Sequence, residues 1–288
     1  RTSKMTALFT EKQRQLLGRV IFGWFVVALL WRWSDSAMIS QLEQPVLGNV
    51  YKDLTFWLFE LARIPAFVTG QYAVALLLDL VVTTAALLAF LQPSKVVYAR
   101  IYCLAILFYF VIFTTYANYH YRPIIGLLVA GLPFAFRSMP RFGTFVQVLR
   151  YYVLFLYASA GLYKVMRGSW LNVDQMTMII EKTQLDLLLT QPDNWHSLFY
   201  AWLLNNEWAS WSLFVLATVL EVSFIIGFFT KRWDLGLFCT AISLHIGFYF
   251  TMGFFAFELI VLDLLLLPWN RMYTKGQLPI TAPALSGL

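Results

Sequence analysis

Apolar residues run along this chain in blocks of about the length that crosses a bilayer, about 20 residues. Eight such blocks are predicted. They cover roughly residues 17–34, 70–91, 100–119, 123–137, 144–166, 208–229, 234–252 and 254–269. The fourth is short and contains Pro133, and Met252 and Gly253 separate the last two. Two stretches break the pattern. Residues 35–66 mix Asp35, Glu43, Lys52, Asp53, Glu60 and Arg63 with Phe56, Trp57, Leu58, Phe59 and Leu61, which reads as an amphipathic helix lying on the interface. Residues 167–207 hold Trp170, Trp195, Trp202 and the run Gln191-Pro192-Asp193-Asn194, which reads as interfacial helices capping the outer side. The fold class expected is an all-α polytopic membrane protein, a bundle of about eight transmembrane helices. No Gly/Ser linker or low-complexity tract divides the chain, so residues 1–288 are expected to form a single domain with its core at about 15–270.

Composition supports a lipid-embedded chain. Hydrophobic residues make up 60%, aromatics 18% and charged residues 12%, where a soluble domain carries about 25% charge. Mean hydropathy is +0.68. That excludes a soluble enzyme, a disordered chain and a disulfide scaffold, because too few charges remain to cover the surface. The formal net charge of +6 would suggest nucleic acid in a soluble protein; here it reads as topology. With the N-terminus inside, the outer loops hold Arg32, Lys52, Arg63, Arg122, Lys164, Arg167 and Lys182, and the other 14 of the 21 Lys and Arg lie inside. By the positive-inside rule both termini are expected in the cytoplasm. Cys103 and Cys239 sit in apolar runs, and neither a disulfide nor a metal site is expected.

Ionisable groups at membrane depth face a bundle interior or a cavity. Here they are Asp79, Arg150, Lys164, Glu221, His245, Glu258 and Asp263. Arg150 with Glu221 or Asp263 reads as a structural ion pair, and Asp79 as an interhelical hydrogen bond or a functional acid. Lys164 follows the small residues Ser159-Ala160-Gly161 and precedes Gly168-Ser169-Trp170. A lysine at a span end ordinarily snorkels to the headgroups, but a buried one can act as a neutral base. His120, among aromatics and beside Arg122, and His245 are expected at the same outer depth, while His196 reads as a hydrogen-bonded interfacial residue. The three histidines lack metal-ligand spacing. No P-loop, dinucleotide fingerprint or nucleophile elbow is present.

Taken together, three segments resemble a known family. Tyr157-Ala158-Ser159-Ala160-Gly161-Leu162-Tyr163-Lys164 followed by Trp170 is similar to a signature of the vitamin K-dependent gamma-carboxylases, whose bacterial relatives are grouped as the horizontally transferred transmembrane (HTTM) domain. Asn118-Tyr119-His120-Tyr121 with Ile125-Gly126-Leu127-Leu128 resembles a second segment. His245-Ile246-Gly247-Phe248, Met252-Gly253-Phe254-Phe255 and Leu267-Pro268-Trp269 resemble a third. The resemblance spans about residues 15–270. It implies a bacterial inner-membrane protein that deprotonates a quinol, or modifies a lipid-borne or peptide substrate. The enzyme class implied is a carboxylase or quinol-epoxidase-like lyase or oxidoreductase. Lys164 would be the base, with His120 and His245 as catalytic partners. Tyr163, Trp170, Glu258 and Asn118 would be substrate-binding. The cofactor implied is a quinone or hydroquinone, with no metal.

The family's carboxylases continue into a large β-rich extramembrane domain, whereas only Tyr273–Leu288 follows the last predicted span. Quinol chemistry is therefore expected to outlast glutamate carboxylation here. The alternative class is a non-catalytic subunit or scaffold of a larger membrane complex, or a factor for maturation or export of a secreted peptide. Membrane lipids, a quinone and other membrane proteins are the expected partners, and no nucleic acid. Transport ranks lowest, because no inverted repeat or pair of broken helices is visible in the sequence.

Overall fold

A computed structural model describes residues 9–42, 61–116, 125–253 and 256–269. These residues are all helical, with no strand. Six helical segments are long and apolar enough to cross a membrane. They are α1 (Glu11–Ser34), α3 (Tyr72–Leu91), α4 (Val96–Tyr116), α6 (Met139–Met166), α9 (Glu207–Ser223, continued by the short α10, Ile226–Phe229) and α11 (Asp234–Met252). The short α2 (Ile64–Thr69) precedes α3.

The fourth and eighth predicted spans do not become full-length helices. The fourth is α5 (Ile125–Val129) followed by a 3-10 turn at Leu132–Ala135, and the eighth is α12 (Phe257–Asp263) followed by one at Leu264–Leu266. Pro133 accounts for the first interruption, since it has no N–H to continue an α-helical ladder. The larger part of the predicted amphipathic segment 35–66 lies outside the described residues, as do His120, Asn118 and the tail after Trp269.

Local chemistry sets the helix ends. Thr10 caps α1 reciprocally: its hydroxyl accepts from the Gln13 N–H at 3.3 Å, and the Gln13 side chain accepts from the Thr10 N–H at 2.8 Å. Pro140 sits in the first turn of α6, where its missing N–H is harmless. Call the end of the bundle where α1 begins the near end and the opposite one the far end. α1 and α3 run antiparallel, with Trp33 Nε1 donating to Thr83 at 3.3 Å and Gly23 against Phe90. At the near end Arg14 donates to the carbonyls of Phe136 (3.0 Å) and Arg137 (3.3 Å).

Phe22, Phe25, Tyr102, Phe134 and Phe142 make an aromatic core of edge and stacked contacts. Leu104, Phe155, Leu216 and Leu235 are exposed on the outside of the bundle. Such an apolar exterior is stabilised by lipid and not by water. Over the far end lie α7 (Gln175–Thr190) and α8 (Trp195–Asn205), which pack Met176, Ile180, Tyr200 and Leu203 against Phe214 of α9.

Among the described residues the two halves share an order of landmarks, differing in the helices before the return helix (α2 in one, α7 and α8 in the other) and in the extra α10. α1 ends at Ser34, a left-handed residue follows (Ser36, φ 50°), then a 3-10 turn at Ile39–Gln41. α6 ends at Met166, a left-handed residue follows (Gly168, φ 70°), then a 3-10 turn at Ser169–Leu171. α3 and α9 return, and each turns through a short basic loop (Lys95; Lys231 and Arg232) into α4 and α11. Each half closes on a short helix and a 3-10 turn. The two short helices meet at matching positions: a Cβ on Gly126, the second residue of α5, would overlap the carbonyl of Glu258, the second residue of α12.

Candidate functional site

α6 carries the candidate groups at intervals of seven: Arg150, Tyr157 and Lys164. Seven residues are about two helical turns, so the three lie on one face, about 10 Å apart along the axis. Each meets an acidic partner from another helix.

Lys164, at the far end, is joined to Glu221 of α9. Its Nζ donates to both carboxylate oxygens, at 2.6 and 2.7 Å. Lys164 is 24% exposed and Glu221 4%. The preceding small residues make this possible. A Cβ on Gly161 would stand 2.7 Å from the Val222 nitrogen and 2.9 Å from the Glu221 Cβ, so only glycine lets the helices approach this closely. Gly168 then supplies the left-handed turn, and Ser169 donates to the Lys164 carbonyl at 3.0 Å. The Trp170 carbonyl accepts from Trp211 Nε1 at 2.8 Å, tying the turn to α9.

Lys164 is also a wall shared by two clefts. One, about 180 Å³, is apolar and lined by Leu213, Phe214, Leu220, Leu244 and Phe248 among others. The other is wider, about 670 Å³, and more polar, with Tyr163, Arg167, Ser169, Asn172 and Gln175. Phe214 lines both and lies under the ammonium, 5.5 Å from ring centre to Nζ.

One level deeper, Tyr157, His245 and Asp263 form a closed triad. The Tyr157 hydroxyl is 2.9 Å from His245 Nε2 and 3.0 and 3.1 Å from the two Asp263 oxygens. His245 Nε2 lies 2.9 Å from Asp263 Oδ2. His245 Nδ1 is buried and has no hydrogen-bond partner among the described residues. Near the other end Arg150 pairs with Asp234 of α11, at 2.9 and 2.6 Å, and donates to the Gly227 carbonyl at 2.8 Å. The expected partners of Arg150, Glu221 and Asp263, belong instead to the two levels above it. α11 begins beside Arg150, so its first residue delivers the carboxylate. In the neighbouring basic loop, burial lowers Lys231 below the ordinary lysine value, Arg150 adds to this, and Asp234 opposes it.

Among the residues expected at the site, the structure brings His245 into the triad and Lys164 into the clefts. Tyr163 lines the polar cleft, and Trp170 lies in the turn above. Glu258 is on the other side of the bundle, bonded to Arg32 at 3.1 Å. His120 and Asn118 fall outside the described residues. His196 opens α8 with its ring against Trp195, centroids 3.4 Å apart. Tyr157 is the site member that sequence reasoning did not single out for its chemistry, and Glu221 and Asp263 had both been placed with Arg150. The spacing of seven on α6 was the available signal. Among the described residues no group of three or more His, Cys, Asp or Glu is arranged to hold a metal ion. No family model, curated protein or solved structure matches the chain.

Proposed function

We propose that the chain is an integral membrane protein whose Lys164–Glu221 pair takes a proton from a weakly acidic, ring-bearing molecule dissolved in the lipid, with a quinol as the type substrate. The carrying observation is the hydrogen-bonded pair standing in the wall between an apolar and a polar cleft. The near end is taken as cytoplasmic, from the distribution of Lys and Arg. The short fourth and eighth segments complete eight crossings, and α7 and α8 lie on the outer interface. The ring would sit in the apolar cleft with its hydroxyl toward Lys164.

A lysine bonded to a carboxylate is an ammonium and not a base. The pair becomes one by passing the proton along its own hydrogen bond, giving an amine and a carboxylic acid with no net change of charge, and a low-dielectric surrounding favours that neutral form. The amine then accepts the hydroxyl proton, and the protein holds an ammonium beside the anion it has made. The resemblance to the quinol-using carboxylases supports the same residue in the same role. The test is turnover of a reduced quinone in proteoliposomes with dioxygen as the added oxidant, followed as oxidation or epoxide formation against an anaerobic control. Wild type is expected to be active, and Lys164→Ala and Glu221→Gln to lose at least tenfold. Unchanged turnover in a folded Lys164→Ala protein refutes the proposal.

A second reading, passage of an amphiphile through the bundle, is favoured by the paired short segments α5 and α12, which occupy corresponding positions in the two halves. Its test is release of a trapped quinol analogue from liposomes without chemical change. Release no faster than from protein-free liposomes removes it.

A further inference from the structure

We propose that the far end of the first half holds a binding site for one monovalent cation, a proton or an alkali metal ion, at Asp79. Asp79 lies on α3 and is 0% exposed. Its Oδ2 accepts from the Ser40 backbone N–H at 2.8 Å, while Oδ1 is buried and has no hydrogen-bond partner among the described residues. Among the described residues, the charged and titratable groups facing it are Arg32 of α1 and Tyr109 of α4, and Glu258 of α12 in turn faces that arginine and tyrosine.

Arg32 does not neutralise Asp79. Its Nη1 bonds Glu258 at 3.1 Å, its Nη2 bonds the Ala37 carbonyl at 2.8 Å, and its guanidinium lies over the Phe113 ring at 4.5 Å. The Tyr109 hydroxyl is directed to the same Ala37 carbonyl at 3.3 Å. Two carboxylates therefore share one guanidinium in a place closed to water. One negative charge is in excess, which a membrane interior does not tolerate uncompensated. An ammonium, guanidinium or imidazole within pairing distance would supply the balance, and among the described residues Asp79 has none.

The repeat of the two halves points to the same deficit. Arg32 stands two residues before the end of α1, as Lys164 does before the end of α6. α3 and α9, the second long helices of the two halves, carry Asp79 and Glu221. In the second half the cation and the acid bond directly. In the first half the cation is drawn across to Glu258 of the other half, and the acid is left alone. The missing partner of Asp79 is a single positive charge, and the free Oδ1 is the atom that receives it. A proton makes Asp79 a neutral acid; an alkali ion leaves it a carboxylate with a ligand. The site is separate from the Lys164 clefts, and its failure would leave the proposed proton chemistry untouched.

The test uses the full chain in lipid nanodiscs at neutral pH. For a proton, the infrared spectrum of wild type carries a protonated carboxyl band that moves on labelling with carboxyl-13C aspartate and vanishes in Asp79→Asn. For an alkali ion, exchanging N-methylglucamine for sodium at constant ionic strength raises the wild-type unfolding midpoint, by about 2–3 °C at tenfold saturation, and does not raise that of Asp79→Asn. Asp79→Ser serves should the asparagine variant not fold. Either result supports the site and names its cation. Wild type with neither the aspartate band nor a sodium-dependent midpoint overturns it. So does an aspartate band that survives in Asp79→Asn without any sodium effect.

Discussion

Replacing Lys164 by Met tests the geometry of the site without assuming its chemistry. The substitution keeps an unbranched side chain and removes the ammonium. Glu221 stays 4% exposed, having lost both hydrogen bonds, of 2.6 and 2.7 Å. Breaking a buried pair from one side costs about 3–5 kcal/mol, because the surviving charge is uncompensated. The lysine is 24% exposed, so part of that loss is recovered through water, and about 2–4 kcal/mol is the reasoned range. Replacing both partners by apolar residues, in the Lys164→Met/Glu221→Leu protein, removes the stranded acid as well as the pair and is expected to cost under about 1.5 kcal/mol. Glu221→Leu alone strands the lysine ammonium and is expected to cost at least about 1 kcal/mol, so the double-mutant coupling is at least about 1.5 kcal/mol, above the roughly 0.6 average for polar contacts between membrane helices. Tryptophan fluorescence during denaturation of the purified protein measures all four states. A coupling below about 0.5 kcal/mol would mean that the lysine spends its time in the headgroups and that the bonded geometry does not represent the molecule.

Three further outcomes follow from other contacts. Gly161→Ala places a methyl where backbone already stands at 2.7 Å, and overpacking of this kind is expected to cost about 1–3 kcal/mol in midpoint measurements; Gly168→Ala meets nothing within 4 Å and is expected to lose only about 1 kcal/mol of backbone strain. Arg150→Met leaves Asp234 unpaired at the start of α11, with an expected loss of about 3–5 kcal/mol, and Arg150→Met/Asp234→Leu should restore most of it. Tyr157→Phe removes a hydroxyl bonded to both His245 and Asp263, for an expected loss of about 1–3 kcal/mol and a shifted imidazole NMR signal from His245; no change in that signal would separate the tyrosine from the triad.

The six long helices were legible because each is a run of apolar residues of spanning length, a property of sequence alone. Their ends were placed within a few residues, except that α1 and α6 extend further toward the near end than the apolar runs. There Gln13 and Arg14 on α1, and Arg141 on α6, are polar but helical. The fourth and eighth segments were expected as full-length helices because composition counts apolar residues and not hydrogen-bond ladders; Pro133 in the fourth run and Pro268 in the eighth were the warnings. Pairings were less legible still. Arg150 sits at a depth that made Glu221 or Asp263 plausible partners, but helix rotation and offset bring Asp234 to it, and neither can be read from a hydropathy trace. Lys164 stood out from its small-residue run, and Glu221 became its partner only once Gly161 let the two helices close.

The repeat gives these pairings a common explanation. One four-segment unit places a cation near the far end of its first helix and an acid on its second. The first half carries arginine there and the second lysine, and the choice suits what surrounds each. Arg32 is 2% exposed and divides its donors between Glu258 and the Ala37 carbonyl, a forked use that guanidinium geometry fits and that fixes one half to the other. Lys164 has one nitrogen, one acid and two clefts beside it. A lysine can release its proton where an arginine cannot, and the half of the molecule with the open clefts is the half that carries the lysine. Pairing strength alone does not account for that division, because arginine would hold Glu221 at least as firmly through two parallel hydrogen bonds. Under the proton chemistry proposed above, a cation that can become neutral accounts for it.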